Sequence, residues 1–354
     1  MSNPIVRELR RAWSDSRPLT ATCVLMLAAF VASVAGIFLD HRTITGVPAW
    51  LKPAKFAIST ALFSGTLAWL LRYLTIWPIQ LRTAGWTVGM LLTLEVAVID
   101  VQAARGTTSH FNASSTLDAG LFTAMGIAIG IVWMASIVFL AALFRQRFAD
   151  PAFGWSLRLG MLITILGCAS GGLMVRATPQ QVQVMHAGGR PAAVGAHTVG
   201  APDGGPGLPG LGWSTQHGDL RVPHFFGLHG IQILPILYCV VLRRRRQAGQ
   251  AGSDLRAVAV AAASYLAFAG ILGWQALRGQ SIVAPDRATL LAFGIWLALS
   301  VGGIAVARWP GKAARQELIV GEIPWAEAHG GTLKRAPLGV CRKRFRWLKP
   351  TAAR

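Results

Sequence analysis

Eight apolar segments, each long enough to cross a bilayer, limit what this chain can fold into. A helix needs about 20 apolar residues to cross roughly 30 Å of hydrocarbon, and it satisfies its own backbone hydrogen bonds there. Charged residues make up 14% of the 354 positions, which is too few to cover a water-facing surface. We therefore predict an all-α, polytopic transmembrane bundle of about eight helices. The segments are 19–39, 56–74, 84–104, 119–144, 157–175, 225–242, 255–277 and 288–306.

The basic residues predict the orientation of the bundle. Of the 34 Lys and Arg residues, 25 lie in the N-terminal segment 1–18, in every second connection, or in the tail 308–354. Cytoplasmic loops carry such an excess, so we expect both termini in the cytoplasm of a bacterial inner membrane. The net charge of +20 sits in short clusters between apolar segments. That pattern excludes a nucleic-acid partner and favours anionic lipid at the basic tail.

The first apolar segment and the longest outer connection each need a separate interpretation. The first segment follows a basic start, as in a signal peptide, but it is long and lacks an A-x-A cleavage site. We therefore expect a retained anchor. The outer connection 176–223 is dense in Gly and Pro, a composition that cannot fold alone, and we expect its first part to be a mobile loop.

An internal repeat divides the chain into two halves, 19–150 and 151–307. The third segment ends Gln102-Ala-Ala-Arg105-Gly106 and the seventh ends Gln275-Ala-Leu-Arg278-Gly279, 173 residues later. An aspartate, Asp118 or Asp286, opens the segment that follows each of them. Four helices per half would give both halves the same orientation, with a pseudo-two-fold axis along the membrane normal. We therefore predict a 4+4 parallel duplication.

Glu95 lies near the middle of the third segment, on the same helical face as Gln102. A carboxylate at this depth costs about 2.5–3.5 kcal/mol unless it is paired, protonated or faces a cavity. Glu95 either carries a proton or pairs with a cation, or it forms a structural hydrogen bond between helices. The repeat aligns it with Phe268, so the common scaffold does not require the acid.

Other polar residues collect at the predicted outer rim of the bundle. Arg105 and Arg278 either stabilise helix C-termini before a C′ glycine or form a symmetric anion clamp, since a guanidinium presents a planar donor fork. The predicted ligand-binding or proton-relay residues are Glu95, Gln102, Arg105, Asp219, Arg221, Gln275 and Arg278.

Three histidines, His110, His224 and His229, lie at the same rim. His224 and His229 are five residues apart, about 140° around a helix, and so do not form an i, i+4 metal pair. Each could bond a backbone carbonyl, ligate haem iron or carry protons in quinone chemistry. The chain has no Walker loop, HExxH, GxSxG or CxxCH sequence, so those enzyme classes lose support.

Three stretches of the chain resemble those of uncharacterised multi-pass membrane proteins from bacteria of high GC content. The resemblance implies a multi-pass helical fold over most of the membrane region, but no activity or site residue, and it does not cover the tail. Three functions therefore stay open: binding or moving a small solute, haem or quinone redox chemistry, and a ligand-free scaffold. The stretches are Trp50-Leu-Lys-Pro-Ala-Lys-Phe56, Gln102-Ala-Ala-Arg-Gly-Thr-Thr-Ser-His-Phe-Asn112 and Trp213-Ser-Thr-Gln-His-Gly-Asp-Leu-Arg-Val-Pro-His-Phe-Phe-Gly-Leu-His229.

Overall fold

The structure, a computed structural model, describes residues 4–242 and 251–308. These residues are mostly helical, as expected. The basic tail with its predicted lipid contacts, apart from Arg308 itself, and the arginine run after residue 242 lie outside them. The helices are α1 (Pro4–Asp15), α2 (Arg17–Leu39), α3 (Leu51–Leu70), α4 (Pro78–Ala104), α5 (Thr116–Arg145), α6 (Pro151–Ser170), α7 (Pro179–His186), α8 (Arg221–Leu228), α9 (Gly230–Leu237), α10 (Ala251–Leu277) and α11 (Arg287–Ala307).

Seven helices in the described part of the chain are long and apolar enough to cross a membrane. The pair α8 and α9 would form an eighth span, bent by 49°. The prediction of about eight spans is therefore confirmed at this level. Several helices begin at residues suited to a first turn: proline opens α4 and α6, and Ser115 and Asp286 cap α5 and α11 with side-chain oxygens.

Four connections meet on one side of the bundle, which we call the loop face: 40–50, 105–115, 174–220 and 278–286. Arg42 donates to the carbonyl of Ala104 at 3.0 Å, and Ser281 donates to that of Ser214 at 2.9 Å. The opposite face holds 71–77, 146–150 and the unpredicted helix α1. There Arg72 forms ion pairs with Glu8 at 2.8 Å and Asp15 at 2.6 Å.

The first part of the long connection on the loop face, where we expect a mobile loop, contains secondary structure. It contains α7 and strand β3 (Thr198–Val199), which pairs antiparallel with β4 (Gly218–Asp219). It also forms a bridge between Asn112 and Ala193. The segment packs on the other three connections, and these contacts support elements that its composition would not let it form alone. A second short hairpin, β1 (Thr43–Ile44) with β2 (Val47–Pro48), lies in the first connection.

Glycines allow a close helix contact between α6 and the bent pair α8 and α9. A Cβ at Gly167 would lie 2.3 Å from the backbone of Gly227, and one at Gly160 would lie 2.8 Å from the Gly230 carbonyl oxygen. Small residues allow such backbone approach in membrane bundles. The bend at His229, between α8 and α9, lies within this contact.

Candidate functional site

A buried polar cluster lies beneath the loop face, and its centre is Glu95. This side chain is 2% exposed. Its Oε1 lies 3.5 Å from Nε2 of His110, while its Oε2 has no hydrogen-bond partner among the described residues. Most buried polar atoms are paired, so an orphaned carboxylate oxygen needs an explanation. Asp100 also has an orphaned oxygen, but the contacts of this cluster do not include it.

Lys52, in the first turn of α3, brings a cation to the cluster. Its ammonium lies 5.7 Å from the centre of the Phe56 ring. It is attracted electrostatically by Glu95 and repelled by Lys55 and Arg221. Among the described residues it forms no ion pair and donates no hydrogen bond. A half-buried ammonium without a partner can bind an anion that enters the cluster.

His110 links the charged groups to an aromatic wall. Its ring centre lies 5.4 Å from that of Phe56 and 6.1 Å from that of Phe122. Burial lowers the pKa of His110 well below its usual value, and the positive charge of Lys52 lowers it further. The ring is therefore neutral at physiological pH. A neutral imidazole can donate a hydrogen bond to an ionised Glu95 or, in its other tautomer, accept the proton of a protonated Glu95 and become an imidazolium.

A second histidine, His197, comes from the long connection. Its Nδ1 lies 2.6 Å from Oδ2 of Asp203, and its ring centre lies 4.8 Å from that of Phe111. Burial lowers the pKa of His197, although Asp203 opposes the shift. Burial alone would raise the pKa of Asp203, but hydrogen bonds from His197 and from the backbone of Thr198 outweigh it, so that pKa lies below its usual value.

Asp219 and Arg221 lie beside this cluster and pair with each other. The guanidinium donates to both carboxylate oxygens, at 2.9 and 2.6 Å. It also donates to the carbonyl of Gly212 at 2.6 Å, and Lys55 donates to the neighbouring carbonyl of Leu211 at 2.7 Å. These cations hold the long connection over the cluster.

The residues of the repeated sequence form two similar networks. In the first, Gln102 and Arg105 both donate to Oδ1 of Asp118, at 2.8 and 2.7 Å, and Arg105 also donates to the Gln102 side-chain oxygen. The amide of Gln102 lies near the carbonyl of Thr108, six residues on, at 3.4 Å, and Gly106 has a positive φ of 75°.

The second network repeats this arrangement at the start of α11. Arg278 pairs with Asp286 at 2.5 Å, and Gln275 donates to the carbonyl of Ser281, six residues on, at 2.7 Å. Gly279 also has a φ of 75°. Both guanidinium groups are therefore engaged by aspartates, which favours the structural interpretation of Arg105 and Arg278 over a free anion clamp.

The other two predicted histidines are separate from Glu95. His224 is held by the carbonyl oxygen of Gly167, 2.8 Å from its Nδ1. The ring centre of His229 lies 4.4 Å from that of Phe225. No group of three metal-ligating side chains is found in the described part of the chain. The structure thus joins Glu95 and His110, which were predicted, to Lys52, His197 and Asp203, which were not.

The sequence contained one signal that could have identified Lys52. Lys52 and Lys55 are among the nine basic residues outside the predicted cytoplasmic segments, and they enter an apolar segment on the side where basic residues are rare. His197 and Asp203 gave no such signal, because they lie in a Gly- and Pro-rich connection without periodicity.

Comparisons of the chain with protein-family models, with curated proteins and with solved structures give no match. The residues themselves therefore carry the functional argument.

Proposed function

We propose that this protein binds a small organic anion beneath the loop face and exchanges a proton there. The observation that carries the proposal is Glu95, a buried carboxyl within a candidate span. It lies 3.5 Å from His110 and has one oxygen without a partner among the described residues. An ionisable group at membrane depth is costly and is a functional candidate for that reason. The protein would act as a solute-binding or solute-moving protein rather than as an enzyme.

The charges of the cluster support an anion as the ligand. Lys52 supplies an ammonium that has no ion-pair partner in the described part of the chain, and Lys55 and Arg221 add positive potential beside it. The aromatic rings of Phe56 and Phe122 offer an apolar surface. A carboxylate on a short carbon chain could pair with the cations and pack its carbon chain on these rings. Binding its negative charge near Glu95 would favour protonation of that carboxyl, with His110 as the neighbouring exchange group.

The proposed setting is a bacterial inner membrane with the loop face outside and both termini in the cytoplasm. The distribution of basic residues supports this orientation. We also propose the 4+4 duplication, supported by the similar networks of Arg105 with Asp118 and of Arg278 with Asp286. Parallel repeats often place a solute site between them; here the cluster instead draws most of its residues from the first half.

The test measures anion binding and proton uptake together. The detergent-purified protein is mixed with lactate, succinate, glutamate or inorganic phosphate in a weakly buffered solution that contains a pH-indicator dye. We expect an organic anion to change the tryptophan fluorescence and to be bound with uptake of a proton. Lys52→Gln is expected to lose binding, and Glu95→Gln to bind without proton uptake.

Asp100→Asn is the matched control, because it removes another acid with an orphaned oxygen, half-buried, from the same helix. We expect it to behave as the unmodified protein does. Equal proton uptake by the Glu95→Gln and Asp100→Asn variants would contradict the role of Glu95. Unchanged anion binding by Lys52→Gln would place the anion elsewhere.

A further inference from the structure

A long apolar groove runs between α9, α10 and α11, away from the polar cluster. Its volume is about 460 Å³, and its walls include Phe226, Leu234, Ala261, Phe268 and Ile304. The lining residues of α10 run from Ala257 to Phe268, which is about 16 Å along a helix at 1.5 Å per residue. That length corresponds to one leaflet, half of the roughly 30 Å hydrocarbon core.

The uncharged polar groups along this groove are already satisfied within the protein. Ser264 Oγ lies 2.6 Å from Ser300 Oγ, and Trp296 donates to the carbonyl of Ser264 at 2.8 Å. The hydroxyl of Tyr265 donates to the carbonyl of Phe226 at 2.7 Å. The groove therefore presents hydrocarbon to its occupant, and a polar solute would lose its hydration there without new hydrogen bonds.

One charged residue, Arg308, lines the groove at its end on the opposite face. It follows the last turn of α11 and forms no ion pair with any residue that the structure describes. Arginine donates to phosphate oxygens in a fork geometry, and at the membrane surface its charge attracts anionic headgroups. An apolar groove one leaflet long, with a cation at its surface end, matches the acyl chain and the phosphate of a phospholipid.

From this combination we propose that the groove binds one acyl chain of an anionic phospholipid, whose phosphate pairs with Arg308. The lipid belongs to the leaflet on the opposite face. It separates α11 from α9, which explains how α11 packs mainly on α10 while most of its residues stay exposed. The site is independent of the proposed anion cluster.

Native mass spectrometry of the full chain after partial delipidation tests this site, with phosphatidylglycerol and phosphatidylethanolamine as probes. We expect the unmodified protein to retain one phosphatidylglycerol. Ala261→Trp fills the groove, and we expect this variant to lose the bound lipid. Leu299→Trp changes a side chain of α11 that is 70% exposed, and we expect it to retain the lipid. Arg308→Gln leaves the groove intact and is expected to reduce the preference for phosphatidylglycerol about fivefold, the effect of one interfacial cation.

Three results would overturn the proposal. The first is equal lipid retention by Ala261→Trp and Leu299→Trp. The second is an unchanged preference for phosphatidylglycerol in Arg308→Gln, a variant that does not disturb packing. The third is a dimer in the mass spectrum that Ala261→Trp dissociates, because a second copy of the chain would then occupy the groove.

Discussion

Glu95 and Gln102 are buried on one face of α4, and their contacts predict opposite effects of the same substitution. Gln102 is fully buried, its amide donates to Asp118 at 2.8 Å, and its oxygen accepts from Arg105. Methionine there would remove two hydrogen bonds to charged groups. Each is worth about 1.5–3 kcal/mol, so we expect Gln102→Met to lower the free energy of unfolding by about 3–6 kcal/mol.

Glu95→Met removes much less hydrogen-bond energy than Gln102→Met does. The His110 contact is 3.5 Å long, beyond the usual range of about 2.7–3.2 Å, and the other oxygen has no partner among the described residues. An unsatisfied buried polar atom costs about 1–3 kcal/mol. We therefore expect Glu95→Met to raise the free energy of unfolding by about 1–2 kcal/mol, as substitutions at functional residues often do.

Unfolding by SDS in mixed micelles, followed by tryptophan fluorescence, measures both changes. Leu94→Met is the control, because Leu94 is 53% exposed on α4, and we expect an effect within about 0.5 kcal/mol. If Glu95→Met destabilises the protein as much as Gln102→Met does, Glu95 is an interhelix structural residue. The proposed proton exchange would then lose its central group.

Two further predictions concern packing and pH. Gly167→Ala places a methyl group against the backbone of Gly227, and we expect it to destabilise the protein by about 1–3 kcal/mol, whereas Gly126→Ala, with open space around it, is tolerated in the same SDS assay. Burial depresses the pKa of His110, so the unfolded chain binds its proton more readily. We expect stability to fall as the pH drops below about 6.5, the ordinary histidine pKa, and this slope to weaken in His110→Phe.

The sequence predicted the spans well because each apolar segment must satisfy its backbone hydrogen bonds locally. The predicted segment 84–104 ends where α4 does, but α4 begins earlier, at Pro78. Apolar composition marks only the part that lies in hydrocarbon, whereas helical hydrogen bonding continues into the interface. Helix α1 was missed for the same reason, since its polar residues give no apolar segment.

The site was predicted less completely, and the reason is physical. Glu95 stands out in the sequence because a carboxyl within an apolar segment is costly. Its neighbours do not, because Lys52 comes from the start of α3, His110 from the connection after α4, and His197 from the long connection. Local patterns cannot indicate which connections pack together. The hydrogen bonds that assemble the loop face join residues from four separate parts of the chain.

The proposed duplication would give the two proposed sites a common origin. At an offset of 173 residues, Glu95 aligns with Phe268, and Phe268 is a wall of the apolar groove. Equivalent positions on α4 and α10 would thus face a polar cluster in one half and a hydrocarbon groove in the other. The residues that fix the helix ends, Arg105 and Arg278 with their aspartates, are the same in both halves. Divergence of this kind is expected when the scaffold contacts are constrained by stability and the facing side chains by what each half binds.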